Sequence, residues 1–227
     1  MMTAEPQAKL RPSTEETRIR IIEAAERLFG EQGIEAVSLR TISATARQRN
    51  NFSVQYHFGD RLGLLRAIFE YREAELDAIR EKLVTEGRKR GQLGDMRFLL
   101  RVCFYPEFRH FMQNNGLPYI RLHFQYLANL RPRGVLHPID YDSPSSTYLR
   151  ETIHCMRQKL HFLNEQQFAM RLEAVSSMFL GAIMQHAARP QEPALHAAVH
   201  YPSLFETLLE MMAVAITVPP WDFSGDD

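Results

Sequence analysis

Apolar residues recur every three or four positions along most of the chain, and this spacing places them on one face of an α-helix. In the N-terminal part the pattern predicts a helix from residue 13 or 14 to 32, a second over 38–46, a third from residue 50 or 51 to 58, and a long fourth over 60–89. No segment shows the strict alternation of apolar and polar residues that is typical of a strand. The sequence therefore predicts an all-α protein.

Polar residues at the predicted helix starts support these boundaries, because a side-chain oxygen can accept from a backbone N–H of the first turn. Ser38, Asn50 or Asn51, and Asp60 are the predicted N-caps of the second, third and fourth helices. In the C-terminal part, prolines and polar turns separate further helices, with a predicted loop over 131–143. Those helices are predicted at 96–104, 106–113, 118–130, 143–160 and 164–188, with a last one from residue 197 or 201 to 218.

The stretch 38–61 differs from the rest in its polar residues, since it holds four arginines and a single acid, Asp60. Leu39, Ile42 and Ala46 share one side of the second helix and are expected to be buried. The outward residues combine arginines with amides and hydroxyls, which can neutralise phosphates and hydrogen-bond to base edges in the DNA major groove. A solvated helical hairpin without acids explains the same pattern, so spacing alone leaves both interpretations open.

If the stretch binds DNA, its outward residues divide into two groups. Those expected at or near base edges are Arg40, Arg49, Asn50, Asn51 and Ser53. Those expected to hold phosphates are Gln55, Tyr56, His57 and Arg61, and Gln48 belongs to the same outward set.

The same stretch carries a family resemblance. Ile42, Ala46, the run Tyr56–Gly59 and Arg61, preceded by a helix over 17–32 that ends in LFGEQG, resemble the helix-turn-helix domain of the TetR family of transcriptional repressors. The segment QRNNFSVQYHFGDR resembles a variant whose turn is one residue longer. The resemblance implies a three-helix DNA-binding domain followed by a larger helical domain for effector binding and dimerisation.

Two residues depart from the family pattern. Arg47 stands where most members have glycine, and it is expected to be strained if the position requires a positive φ. Phe52 stands where small residues are usual, and it is expected either to pack inward or to touch a thymine methyl group.

Composition narrows the class of protein. The 227-residue chain has a formal net charge of zero, so its positive charge is local, as expected for a protein that meets DNA through one small surface. Cys103 and Cys155 have no CxxC spacing, which favours reduced thiols. The sequence has no apolar run long enough to span a bilayer and no secretory signal, so we expect a cytoplasmic protein.

The sequence gives little indication of catalysis or of a cofactor. It has no GxSxG elbow, phosphate-binding glycine loop, HExxH or dinucleotide fingerprint, so we expect no enzymatic activity. His196 with His200, or His154 with His161, could begin a metal site. Because spacing places no third ligand, we expect no metal.

Aromatic residues are dense in the central helices, interleaved with polar ones. Helices of this kind can enclose an apolar cavity with a few fixed hydrogen-bond partners, although any single aromatic residue is more often part of a core. The resemblance implies a cavity between the long fourth helix and these helices. The expected effector-binding residues are Phe98, Phe104, Phe108, Phe111, Tyr119, His123 and Phe124.

The last two helices have unusually wide apolar surfaces. Such surfaces indicate self-association through a four-helix bundle formed by two helices of each subunit, as the resemblance also implies. The alternative is that they close the core of one monomer. The residues expected at the dimer interface are Phe168, Leu172, Val175, Phe179, Ile183, Leu204, Leu208 and Met212.

These observations predict a flexible arm over 1–13, a DNA-binding domain over 14–59, an effector-binding and dimerisation domain over 60–218, and a flexible tail over 219–227. The expected function is that of a TetR-type homodimeric regulator. It is expected to be a repressor that a small apolar or aromatic effector releases from a palindromic operator on double-stranded DNA. The alternative is a small-molecule carrier or helical enzyme whose N-terminal hairpin binds no DNA.

Overall fold

A computed structural model describes residues 14–50, 52–114, 116–187 and 201–220. The predictions for residues 1–13, for Asn51, for His196 and His200, and for most of the tail lie outside these ranges. The described residues form helices and no strand, which confirms the all-α prediction. The helices are α1 Thr14–Gln32, α2 Leu39–Thr45, α3 Ser53–Phe58, α4 Arg61–Lys89, α5 Met96–Asn114, α6 Leu117–Gln125, α7 Thr147–Lys159, α8 Glu165–Ala187 and α9 Tyr201–Thr217.

Several predicted caps are confirmed by hydrogen bonds. Ser38 Oγ accepts from the backbone N–H of Thr41 at 3.0 Å, and Asp60 Oδ1 accepts from that of Gly63 at 2.7 Å. Before α8, Asn164 and Gln167 each accept from the other's backbone N–H, at 2.8 and 3.0 Å. These bonds satisfy N–H groups that have no partner inside the helix.

The first hydrophobic core joins α1–α4 to α6. Ile21, Ile22 and Phe29 of α1 are fully buried in it, together with Tyr119 and Leu122 of α6. Helix α6 crosses α1 so closely that a Cβ atom at Gly30 would lie 2.2 Å from the carbonyl oxygen of Pro118. The helix-turn-helix segment is therefore packed against the remainder of the molecule through α6 as well as α4.

Two central helices differ from the sequence prediction. Helix α5 continues through Pro106, where two separate helices were expected. A proline inside a helix costs about 3 kcal/mol, but Phe104 and Phe108 on either side are buried in one core, and each contributes about 1.5–3 kcal/mol. Helix α6 continues directly into a π-helical turn, Tyr126–Leu130, so the predicted helix does end at residue 130 but changes its hydrogen-bond pattern after Gln125.

The second core is formed by α5–α9, and it contains the residues predicted to form the dimer interface. The six most buried of them have at most 6% of their surface exposed, and the other two are partly buried in the same core, so these side chains face the monomer's own interior. For the six buried residues the structure favours the alternative, in which these helices close the core of one monomer. Leu172 and Leu204 keep part of their surface exposed, and their contact with a partner stays a prediction. The six are Phe168, Val175, Phe179, Ile183, Leu208 and Met212, and the other two are Leu172 and Leu204.

Candidate DNA-binding surface and effector cavity

The turn after α2 closes with two backbone hydrogen bonds. The N–H of Arg47 donates to Ala44 at 3.0 Å, and that of Gln48 donates to Ser43 at 2.9 Å. This pair of bonds is the Schellman arrangement, which requires a left-handed residue just after the helix. Arg47 occupies that position with φ 55°, the one positive φ at a non-glycine among the described residues, so the strain predicted for it is confirmed.

Helix α3 begins at Ser53, later than the sequence suggested. Asn50 Oδ1 accepts from the N–H of Phe52 at 2.9 Å, which makes Asn50 part of an Asx turn and not the helix cap. Ser53 is buried, and its hydroxyl donates to the carbonyl oxygen of Asn50 at 2.6 Å. The base contact predicted for Ser53 is therefore replaced by an internal hydrogen bond.

The outer side of this helix pair forms one polar surface, here called the arginine surface: Arg40, Arg47, Arg49, Asn50, Gln55 and Tyr56. All six residues are exposed, Tyr56 by 82%. The side chains of the three arginines form no hydrogen bond or ion pair with any residue that the structure describes. Phe52 is 69% exposed on the same side, which excludes the inward packing that was one of its two predicted positions.

Three other predicted DNA contacts lie differently. Arg61 Nη1 donates to the carbonyl oxygens of Ile34 and Val37, the second at 2.7 Å, so it joins the start of α4 to the loop before α2. The phosphate contact predicted for Arg61 stays a prediction. Gln48 Nε2 donates to Ala46 at 2.9 Å, and His57 is half-buried.

A cavity of about 200 Å³ lies between α4–α8. Phe104 and His123 of the predicted set line it. Its apolar wall is formed by Phe104, Leu127, Ile139, Leu149, Ile153, Phe168 and Leu172, and its polar wall includes Glu73, Arg80, Glu107, His123, Arg131 and His137. Most of the polar wall was not predicted from the sequence.

The other five predicted effector residues do not line the cavity. The rings of Phe108 and Phe111 lie 4.6 Å and 5.3 Å from those of Phe205 and Tyr201, as part of the packing between α5 and α9. Tyr119 is fully buried in the first core. Phe98 lies against Gly87, and Phe124 lies near Gly181. Aromatic density predicted that a cavity would be present but not which side of each helix would face it.

Buried charges on α4 dominate one wall of the cavity. Arg80 Nη1 lies 2.7 Å from Glu73 Oε2 and 3.6 Å from Asp77 Oδ1, with at most 7% of any of these side chains exposed. Burial raises the pKa of Glu73, and the positive charge of Arg80 opposes that shift. Asp77 also accepts from the backbone N–H groups of Tyr148 and Leu149, both at 2.9 Å, and so fixes the start of α7.

Two histidines complete the polar wall. Their rings are stacked, with centroids 5.4 Å apart and planes 5° from parallel. Burial alone would lower the pKa of His123, but Glu107, whose Oε1 lies 2.9 Å from Nδ1, reverses this and raises it. Burial, together with the charge of His123, holds the pKa of His137 well below its ordinary value.

The described residues contain no group of three or more His, Cys, Asp or Glu side chains arranged to hold a metal ion. Cys103 lies in the cavity wall, where burial raises the pKa of its thiol to about 12. None of the described helices is long and apolar enough to cross a membrane.

Comparison with known proteins agrees with this architecture. Residues 21–68 match the family model of bacterial regulatory proteins, tetR family. No curated protein matches the chain. Among solved structures, a TetR family transcription regulator from Marinobacter aquaeolei VT8 has 15% identity and a TM-score of 0.57, over 88% of this chain and 95% of that chain.

Two further solved structures match this chain with lower TM-scores. Multidrug binding protein EbrR complexed with imidazole has 20% identity and a TM-score of 0.46, over 92% of this chain and 98% of that one. A gamma-butyrolactone receptor described as ArpA-like has 20% identity and a TM-score of 0.44, over 87% and 96% of the two chains. At these identities the likeness concerns the fold alone.

Proposed function

We propose, from the premise that this chain belongs to the TetR family through its residues 21–68, that it is a homodimeric repressor that a small effector releases from a palindromic operator. The arginine surface is the observation that carries the proposal. Three exposed arginines without partners lie on a helix-turn-helix, and no acid occurs between residues 36 and 59. Phosphate groups would supply the missing negative charge.

In this proposal α3 enters the major groove. Arg40, Arg49 and Asn50 contact base edges or lie near them, while Gln55 and Tyr56 hold phosphates and so fix the orientation of the domain. Arg47 adds a charge at the turn between the two helices, where glycine would leave none. Ser53 and Arg61 act inside the protein and leave the DNA contacts to this exposed set.

The dimer of this proposal uses a different side of α8 and α9 from the one first predicted. Met170, Met211 and Val214 are 61%, 53% and 65% exposed on these helices, and Val218 after α9 is 49% exposed. A second copy that covers these side chains places two α3 helices on successive half-sites, about 34–36 Å apart. Val214→Glu is expected to produce monomers in sedimentation experiments, whereas Val175, being buried, makes no such contact.

Both α4 and α6 connect the cavity to the DNA-binding domain. On α6, the side chain of Gln125 accepts from the N–H of Ile34 at 3.1 Å and donates to the carbonyl oxygen of Phe29 at 3.2 Å. The next two residues, Tyr126 and Leu127, line the cavity. An effector that shifts α6 therefore moves α1 and the helix-turn-helix with it, and effector and operator weaken each other's binding by the same factor.

The test is a DNA titration at several salt concentrations. The probe is the DNA upstream of the coding region, searched for an inverted repeat. We expect the logarithm of the binding constant to fall linearly with the logarithm of salt concentration, by about 0.9 per phosphate contacted. A carrier or a helical enzyme that makes no use of DNA would show no such slope, and that result would exclude the proposal.

Substitutions at Arg40, Arg47 or Arg49 should lower the salt slope, and Arg90→Ala is the matched control for them. Its side chain is 65% exposed and lies just beyond the far end of α4. A helix of this length spans about 40 Å, so Arg90 is remote from the arginine surface. The control is expected to leave the salt slope unchanged.

A further inference from the structure

We propose that the effector is an uncharged, largely apolar molecule with a hydrogen-bond acceptor oxygen, and that His137 Nε2 and Arg80 Nε donate to that oxygen. The inference rests on the proposed function, because it names the chemistry that the same cavity accepts. Four features of the cavity wall support it: two nitrogens without acceptors, their protonation, the balance of charge and the apolar surroundings.

Arg80 Nε and His137 Nε2 are both buried and have no hydrogen-bond partner among the described residues. The side chains that carry them are 3% and 5% exposed, and both residues line the cavity. Glu73 Oε1 is 3.8 Å from His137 Nε2, which is too far for a hydrogen bond. Because burying a polar group without a partner is unfavourable, a ligand that satisfies both nitrogens gains affinity from them.

Both nitrogens carry hydrogen and therefore act as donors. The Nε of an arginine is always protonated. In His137, Nδ1 accepts from the backbone N–H of Ile139 at 3.4 Å, so in the neutral ring the proton is on Nε2. Burial and the charge of His123 keep the His137 ring neutral by lowering its pKa. Two donors require an acceptor, such as the oxygen of a ketone, lactone, ester or amide.

The charge of the surroundings disfavours an ionised ligand. Four acids line the cavity, Glu73, Glu107, Glu165 and Glu173, against two arginines, Arg80 and Arg131. A carboxylate beside His137 would lie close to Glu73 and be repelled by it. An ammonium group would leave both donors without an acceptor and would approach the guanidinium of Arg80.

The rest of the wall requires an apolar ligand. Nine apolar or aromatic side chains line the cavity, among them Leu127, Ile153 and Phe168. A volume of about 200 Å³ accommodates a small bicyclic molecule. Such a molecule would place its hydrocarbon part against these side chains and its oxygen toward the two donors, the usual arrangement of a small-molecule site.

Four probes that share one skeleton test the proposal: indane, 1-indanone, indane-1-carboxylate and 1-aminoindane. Each is titrated into the full-length protein without DNA, and binding is measured by calorimetry. We expect 1-indanone to bind at least about tenfold more tightly than each of the other three, which corresponds to about 1.4 kcal/mol. Tighter binding of the carboxylate or the amine, equal binding of indane, or binding of none of the four would overturn the proposal.

His137→Phe keeps an aromatic ring beside His123 and removes the donor. In this variant we expect the preference for 1-indanone over indane to fall at least fivefold, while indane binds as before. An undiminished preference in a variant that unfolds in urea like the parent protein would overturn the role of Nε2. The probe series on the unmodified protein tests the ligand class even if the variant folds poorly.

The two proposals fail in distinguishable ways. DNA binding with the expected salt slope, together with no preference for 1-indanone, would refute the ligand class and leave the repressor proposal intact. A clear preference for 1-indanone without any DNA binding would refute the repressor proposal, leave the ligand class intact and favour a small-molecule carrier.

Discussion

The arginines of the helix-turn-helix and the arginine of the cavity occupy opposite environments. Arg40, Arg47 and Arg49 are exposed and have no partner among the described residues. Arg80 is 2% exposed and lies between Glu73 and Asp77. An unpaired arginine in water lowers stability little, whereas a buried arginine requires partners. Removing a charge should therefore change the free energy of unfolding little on the exposed surface and strongly around Arg80.

The comparison also shows what each region lacks. The exposed arginines lack negative charge, which phosphates supply in numbers, so the expected partner is a polyanion. The buried arginine has its charge balanced but keeps one N–H without an acceptor, so its expected partner is a neutral oxygen. The formal net charge of the whole chain, which is zero, indicates neither the local positive charge of the exposed arginines nor the unpaired N–H of Arg80.

Glu73→Ala should have the largest effect on stability. It leaves the guanidinium of Arg80 buried with only Asp77 beside it, and breaking a buried pair in this way costs about 3–5 kcal/mol. Urea unfolding measures the loss. Glu75→Ala is the control, because that side chain is 47% exposed in its pair with Arg72 and its loss should cost about 0–1 kcal/mol. Equal effects of the two substitutions would contradict the contrast between buried and exposed charges.

Arg61→Ala should lower the free energy of unfolding by about 1.5–3 kcal/mol in total, because both hydrogen bonds come from one Nη1 of a half-buried side chain. The substitution removes both bonds to the loop between α1 and α2. The salt slope of DNA binding by the folded variant should stay unchanged. A slope lower by about 1 per subunit, with unfolding unaffected, would restore the phosphate contact that the sequence predicted.

A feature of this structure was predictable from the sequence when it depends on residues close together in the chain. The caps at Ser38, Asp60 and Asn164 were predicted correctly, because they depend on residues within one turn. The strain at Arg47 was predicted from the family pattern and is confirmed by its φ of 55°. Local chemistry and a resemblance together thus gave the helix order and the α2–α3 turn.

Features that depend on packing between distant helices were not predictable in this way. Glu73, Asp77 and Arg80 follow each other at spacings of four and three, which is equally typical of an exposed, ion-paired helix face. The packing of α5, α6, α7 and the segment between α6 and α7 over that face buries them. In the same way, Phe179 and Val214 are both apolar positions of the last two helices, yet one is fully buried and the other is 65% exposed.

Arg49→Ala should weaken operator binding by about 1–3 kcal/mol if the arginine contacts a guanine edge. Because the side chain of Arg49 is exposed and forms no hydrogen bond or ion pair with a described residue, the free energy of unfolding should change by less than about 0.5 kcal/mol. Fluorescence anisotropy with a labelled operator and urea unfolding measure the two quantities. A loss that is the same for operator and unrelated DNA would indicate a phosphate contact in place of a base contact.

Arg47→Gly should separate stability from DNA binding at a single residue. Glycine adopts a positive φ without the strain that an arginine carries there, so the variant should gain about 1 kcal/mol in the free energy of unfolding, the lower end of the cost for such residues. The same change removes one charge from each arginine surface, and the salt slope of a dimer on its operator should fall by about 2, or 0.9 for each lost phosphate contact. Arg47→Lys is the control, because it retains both the charge and the strain and should match the parent protein in both measurements. If glycine stabilises the protein and leaves the slope unchanged, the charge of Arg47 contacts no phosphate, and only Arg40 and Arg49 remain as the cations of the surface that contact DNA.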